Sequence, residues 1–232
     1  MQQPTATECI FQKMLDNVCR GDWQAGREIP SERMLISQFG VSRIAVREAL
    51  SMLRGLGVLD VGHGRRSVVR QVDSQTLAQL FPLMLASGGQ KTFNQVFDVR
   101  IAIESRTAYL AAQHRTAEQS EQLTEVARRF RDQMLAGDPK SHEADLEFHL
   151  SVARMTQNPL FSTLVEALLG FVSYVQQESC KNDPARSQRA IAAHEAIAEA
   201  IAQQDAERAQ VEMEAHLRYS ATRKLPLEQP SN

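Results

Sequence analysis

Residues 31–55 read SERMLISQFGVSRIAVREALSMLRG, and the punctuation of this stretch decides the fold of the first third of the chain. Ser31 is a helix N-cap, a hydroxyl placed to accept from amide groups that have no partner in a helix's first turn. It predicts a short helix through about Phe39, with Leu35 and Phe39 turned inward. Gly40 ends that helix, because glycine enters the left-handed terminal conformation without steric cost. Ser42 caps the next helix, which runs to about Arg54. Its Val46, Ala49, Leu50 and Leu53 recur at i, i+3, i+4 and i+7 and form one apolar face. Two helices joined through Gly40 and Val41 make a helix-turn-helix.

The flanking segments extend the motif. Residues 5–20 place Ile10, Phe11, Met14, Leu15 and Val18 on a helical stripe, and GDWQAGREIP (21–30) breaks it. After Gly55 and Gly57, the β-branched runs GVLDV (57–61) and SVVRQV (67–72) flank GHGRR (62–66) and read as a hairpin with a glycine-rich tip. Helix, short helix, tight turn, capped helix and two-stranded wing is the winged helix-turn-helix order.

Chemistry on this scaffold points to nucleic acid. Arg43 and Arg47 lie one turn apart opposite the apolar face of the third helix, with Arg54 two turns further on. A guanidinium near the N-terminus of such a helix offers a planar fork to guanine O6/N7 or to phosphate. Arg33, at the start of the preceding helix, is placed to clamp the backbone. The wing tip carries His63, Gly64, Arg65 and Arg66, where glycine permits close approach to a groove and the arginines attract phosphate. Up to residue 72 the chain holds ten Lys+Arg against seven Asp+Glu; the remainder holds 16 against 21. The alternative is a solvated charged face on an ordinary helical cluster, and the order of elements together with the basic wing favours DNA.

After residue 72 the chain reads as nearly all helix. Apolar periodicity predicts helices over 74–87, 92–114 and 117–136, and Asp138-Pro139, Asn158-Pro159 and Asp183-Pro184 predict helix starts near 139, 159 and 184. The fold expected is mainly α: a winged helix-turn-helix with a small β wing over 1–72, an all-α bundle over 73–222 and a tail over 223–232. Bulk composition agrees with a globular protein, at 43% apolar and 23% charged residues. No run of 18 apolar residues suggests a membrane span, and the N-terminus lacks a basic segment followed by an apolar one. Three cysteines without CxxC pairing read as reduced thiols, so a cytoplasmic setting is expected.

Within the helical part, Asp145 and His149 sit at i and i+4 on one helix face. They can form a local ion pair, a catalytic pair or half of a metal site. His194 and His216 are 22 residues apart, and Asp205, a good N-cap, lies halfway between them. A reversal there places each histidine about 16 Å from the turn on antiparallel helices, at the same height. Asp145 and His149 can complete that set from a third helix, and three imidazoles with one carboxylate suit a divalent ion: zinc first, then nickel, manganese or iron. His114 and His142, near helix ends, read as solvated.

The landmarks PSER (30–33), VSR (41–43), VREAL (46–50) and the wing glycine strongly resemble the DNA-binding domain of the GntR superfamily of bacterial transcription regulators, over residues 8–70. The resemblance implies operator contacts by Arg33, Arg43, Arg47 and Gly64. This chain departs from the family pattern at Ile44 and Ala45, where hydroxyl residues are common. Hydroxyl contacts are lost there, so the expectation is either different central bases in the operator or apolar contact with thymine methyls. VFDVRIAIESRTAYLAA (96–112), DLEFHLSVARMTQNPLF (145–161), AHEAIAEAI (193–201) and AQVEMEAHL (209–217) resemble the all-helical FCD ligand-binding domain of the FadR subgroup, over about 75–222. In its metal-binding members the ligands match Asp145, His149, His194 and His216, and an arginine matching Arg100 binds an effector carboxylate. For Arg100 the alternative is an internal salt bridge with Glu104 or Asp98. Asn158 reads as a helix cap, though it borders that pocket.

These features define a metal-dependent regulator, expected as a homodimer on a palindromic double-stranded operator and responsive to a small organic acid. Two alternatives stand beside it: a metalloenzyme using the same four residues, and a regulator that senses the metal alone. Against the enzyme, none of Glu104, Glu147 and Glu195 sits in an HExxH-like context as a general base.

Overall fold

The computed structural model describes residues 4–60, 66–70, 89–176 and 183–223. The chain divides into two compact units, residues 1–76 and 77–232. The boundary expected at 72–73, the helix expected over 74–87 and the tail after residue 223 fall outside the described residues.

The first unit contains α1 (Ala6–Cys19), α2 (Glu32–Phe39), α3 (Arg43–Gly55), β1 (Leu59–Asp60) and β2 (Val68–Val69). Each helix begins at a hydroxyl. Thr5 and Glu8 form a reciprocal capping box on α1, Ser31 Oγ accepts from the Met34 amide (3.3 Å), and Ser42 Oγ accepts from the Ala45 amide (3.2 Å). Gly40 closes α2 at φ 65°, which leaves only Val41 before the next cap. Val46, Ala49, Leu50 and Leu53 of α3 pack with Ile10, Met14 and Leu35 into one core, each larger aliphatic side chain contributing roughly 1.5–3 kcal/mol on burial.

β1 and β2 pair antiparallel, Leu59 with Val69 and Asp60 with Val68. The sequence pattern missed a third element of this sheet. The Gly26 and Ile29 amides donate to the Val69 and Ser67 carbonyls, so residues 26–29 line the far edge of β2. Alternation is absent from GREI, and its strand character comes only from this pairing. Arg54 also differs from expectation. Its Nη2 donates to Ser67 Oγ at 3.0 Å, so it ties α3 to the wing rather than extending the exposed basic row.

The second unit is helical: α4 (Gly89–His114), α5 (Ala117–Ala136), α6 (Ser141–Met155), α7 (Pro159–Gln176), α8 (Pro184–Ala202) and α9 (Ala206–Ala221). α4 and α9 share the most extensive packing, and α5 and α6 close the bundle with α8. Phe93, Phe97, Phe148, Ile197, Ile201, Met213 and Leu217 fill the main core. Asp183 caps α8, its carboxylate accepting from the Ala185 and Arg186 amides. α6 starts two residues later than Asp138-Pro139 suggests. There the Asp138 carboxylate accepts from the Lys140 amide, and a tight turn precedes the regular helix. α8 and α9 reverse at Gln204, which holds φ 58°, and Asp205, whose carboxylate caps α9 at the Arg208 amide (3.0 Å).

Candidate functional site

In the winged unit most of the described candidate residues are exposed. Arg33, Arg43 and Arg47 are exposed, and Ile44 projects with 69% of its surface accessible. Arg47 Nε donates to Glu32 Oε2 at 3.0 Å across the turn; among the described residues neither Arg33 nor Arg43 has an ion-pair partner. Arg66, at the base of the wing, lies 3.6 Å from Glu28. His63, Gly64 and Arg65 lie outside the described residues. Ala45 corrects the sequence reading: it is 7% exposed and packs into the unit's core, because it begins the i, i+4 row that continues through Ala49 and Leu53. Any thymine-methyl contact from this pair of positions belongs to Ile44.

In the helical unit the candidate residues come from three helices, the three histidines buried and Asp145 partly exposed. Asp145 and His149 come from α6, His194 from α8 and His216 from α9. One donor atom from each lies within 4.8 Å of the other three. The three imidazole centroids are 4.8–5.4 Å apart. Asp145 Oδ1 stands 3.4 Å from His194 Nε2 and 4.0 Å from His149 Nε2. Phe148 stacks on His194 at 4.2 Å and 10°, and Phe130 lies against the same ring at 4.4 Å, so the imidazole cannot swing away.

Glu104 of α4 lies beneath this group. Its Oε2 is 2.6 Å from His149 Nδ1, and its Oε1 accepts from Arg100 Nε at 2.6 Å, with all three side chains 1–4% exposed. Burial raises the Glu104 pKa, but the Arg100 guanidinium and the His149 ring outweigh it and bring the carboxyl down to about 2. Burial drives the His194 pKa well below the ordinary imidazole value, and the neighbouring His216, His149 and Arg100 reinforce it. Burial also lowers His216, to about 3, with His149 and Arg100 adding to the fall and Glu104 opposing it. His194 and His216 are therefore neutral at physiological pH, the form that donates a lone pair to a cation.

The fit to a cation rests on His194. Both of its ring nitrogens are buried and neither has a hydrogen-bond partner among the described residues. An unsatisfied buried imidazole costs free energy, and Nε2 faces the acceptor set that a divalent ion needs. Three imidazoles and one carboxylate form a donor set suited to zinc, nickel, manganese or iron.

Asp145, His149, His216 and Arg100 line a cavity of about 860 Å³ within this unit. Its walls also carry His142, Arg186, Tyr219 and Arg223, none of which stood out in the sequence as a site residue. His142 lies three residues before Asp145 and seven before His149, on the same face of α6, so helical spacing was the signal that pointed to it. Its Nε2 is buried without a partner. Asn158 does not join the cavity. It is exposed, and its Oδ1 accepts from the Leu160 amide at 3.1 Å, capping α7.

A winged helix-turn-helix followed by a helical unit with a ligand-sized cavity is the architecture of a DNA-binding, ligand-responsive transcription regulator. Comparison with known proteins bears this out. Residues 6–69 match the bacterial regulatory proteins of the gntR family, and residues 95–219 match the FCD domain. The chain belongs to the GntR family, in its FadR-like subgroup with an FCD domain, and is a transcription regulator rather than an enzyme. It is 29% identical over 221 residues to the HTH-type transcriptional repressor NanR of Salmonella arizonae, an alignment covering 91% of this chain and 81% of that protein. The repressor of the same name from Salmonella typhimurium matches to the same extent. The solved structure of Streptococcus agalactiae GntR shares the fold at a TM-score of 0.68 and 22% identity, covering 94% of this chain and 100% of that one. No helix among the described residues is long and apolar enough to cross a membrane.

Proposed function

We propose that this protein is a cytoplasmic, homodimeric repressor that reads a palindromic operator with Arg33, Ser42, Arg43, Ile44, Arg47 and the wing residues His63, Gly64 and Arg65. In its helical unit Asp145, His149, His194 and His216 would hold a divalent ion, zinc in preference to nickel, manganese or iron. A small carboxylate effector occupies the cavity beside them and lowers operator affinity. The observation that carries this reading is the convergence of four metal-type donors, among them the fully buried His194 imidazole, with Asp145, His149 and His216 lining a cavity that Arg100 also lines. A bound ion would supply positive charge beside that cavity. Arg100 then gives a carboxylate a second, fixed cationic contact, oriented by Glu104.

Repression is supported by the names of the NanR relatives. The test has two parts. Metal analysis of the purified protein should find stoichiometric divalent ion that His194→Ala loses. An operator selected from random duplexes should then be released when a panel of small carboxylic acids is added to the metal-loaded protein but not to the stripped protein. Release by metal alone, with no acid having any effect, points instead to a metal sensor.

A further inference from the structure

Glu104 is not one of the four donors, yet it is a buried charge held on both sides. One carboxylate oxygen meets Arg100 and the other meets His149, each at 2.6 Å. Both partners line the cavity, while Glu104 itself is not among the cavity residues and is 1% exposed. A carboxylate in such a position cannot exchange its partners for water. His149 Nε2, at the other end of the ring, faces Asp145.

We propose that Glu104 is a positioning residue that fixes His149 for the metal and Arg100 for the acid from a single buried carboxylate. This rests on the metal reading above and adds a residue outside the four donors. Contact at Nδ1 with an ionised acceptor keeps the ring proton on that nitrogen and the lone pair on Nε2, which is the tautomer a cation at Asp145 requires. On its other side, the Nε contact sets the plane of the Arg100 guanidinium.

Substituting Glu104 alone leaves Arg100 buried without its counter-charge, so the fold itself is at risk. The decisive variant therefore removes both charges, Glu104→Gln with Arg100→Gln, and is compared with Arg100→Gln alone. Zinc affinity of the full-length, metal-stripped chain is measured by competition with a chromogenic chelator, and the His149 tautomer is read from long-range ¹H–¹⁵N correlations of the metal-free protein. The double variant should bind zinc about 10–100-fold more weakly than the parent, the range for loss of a residue that orients a ligating histidine. Arg100→Gln alone should not reproduce that loss. His149 should change from a single Nδ1–H tautomer to a mixture, a change that general loosening of the fold does not produce, and Glu104→Asp should restore it in part. Zinc affinity and tautomer both unchanged in the double variant overturn this inference and leave the metal reading standing. Failure of the parent chain to take up zinc at all overturns both.

Discussion

The two units place function in opposite environments. In the winged unit the described candidates Arg33, Arg43, Ile44 and Arg47 are exposed and are carried on helices that pack into a separate apolar core. In the helical unit the candidates lie between residues 100 and 216, are mostly buried, and sit among the aromatic side chains that also form the core. A surface site tolerates loss of a contact at little cost to the fold. A site built into a core couples binding to stability, because each polar group there depends on its partners.

The largest effect expected from this contrast is at His194. His194→Ala removes a donor and leaves a void between Phe130 and Phe148. Zinc affinity should fall by more than the roughly 100-fold at the upper end for residues that only orient a ligand. Operator affinity, measured without metal or acid, should stay within about twofold of the parent, as for independent sites. A large loss of operator binding in that assay would mean that the two units are not separable. Arg43→Ala is the mirror experiment. It should cost about 1–3 kcal/mol of operator binding and relax preference at one base position in each half-site, with zinc affinity unchanged.

Legibility from sequence follows the same division. The winged unit was readable because its signals are local: Ser31, Gly40 and Ser42 punctuate one short stretch, and apolar spacing identifies the inward face of α3. Ala45 shows where that reading slipped, since its place in the family motif suggested a contact while its place in the apolar row settled its burial. Arg54 and residues 26–29 were misread because their partners, Ser67 and β2, are tertiary. In the helical unit the meeting of His194 with His216 was legible from one number, the equal distance of each from Asp205. Glu104 was visible as a partner for Arg100, but its second contact with His149 needs α4 and α6 side by side, which no periodicity encodes. His142 was set aside as solvated because it lies at a helix start; the cavity wall around it is a property of the bundle.

Asp205 gives a third, smaller effect. Its carboxylate caps α9 and fixes the reversal that brings two imidazoles to the same height. Asp205→Ala should lower stability by about 1 kcal/mol, read as a shift in the urea midpoint at constant slope, while Asp205→Asn should retain most of it. Zinc affinity should fall less than in His194→Ala, because all four donors remain. An equal fall would show that the turn, rather than the aromatic packing around His194, controls the geometry.

The smallest effect lies back on the exposed side, at the contact between Arg47 and Glu32. With side chains 64% and 38% exposed, this pair contributes at most about 1 kcal/mol to stability, and solvent screening reduces that further. Its consequence for DNA is more specific. Glu32 holds the Arg47 guanidinium, so in the proposed operator complex phosphate or base has to displace a carboxylate. It also places a negative charge next to the DNA backbone. Glu32→Gln should therefore leave the thermal midpoint nearly unchanged and tighten operator binding by a few-fold at low salt. The gain should shrink as ionic strength rises and screening shortens the reach of the lost charge. Weaker binding in Glu32→Gln would mean that the ion pair preorganises Arg47 for its base instead of competing for it. The winged unit's surface would then depend on internal partners, as the buried site of the helical unit does.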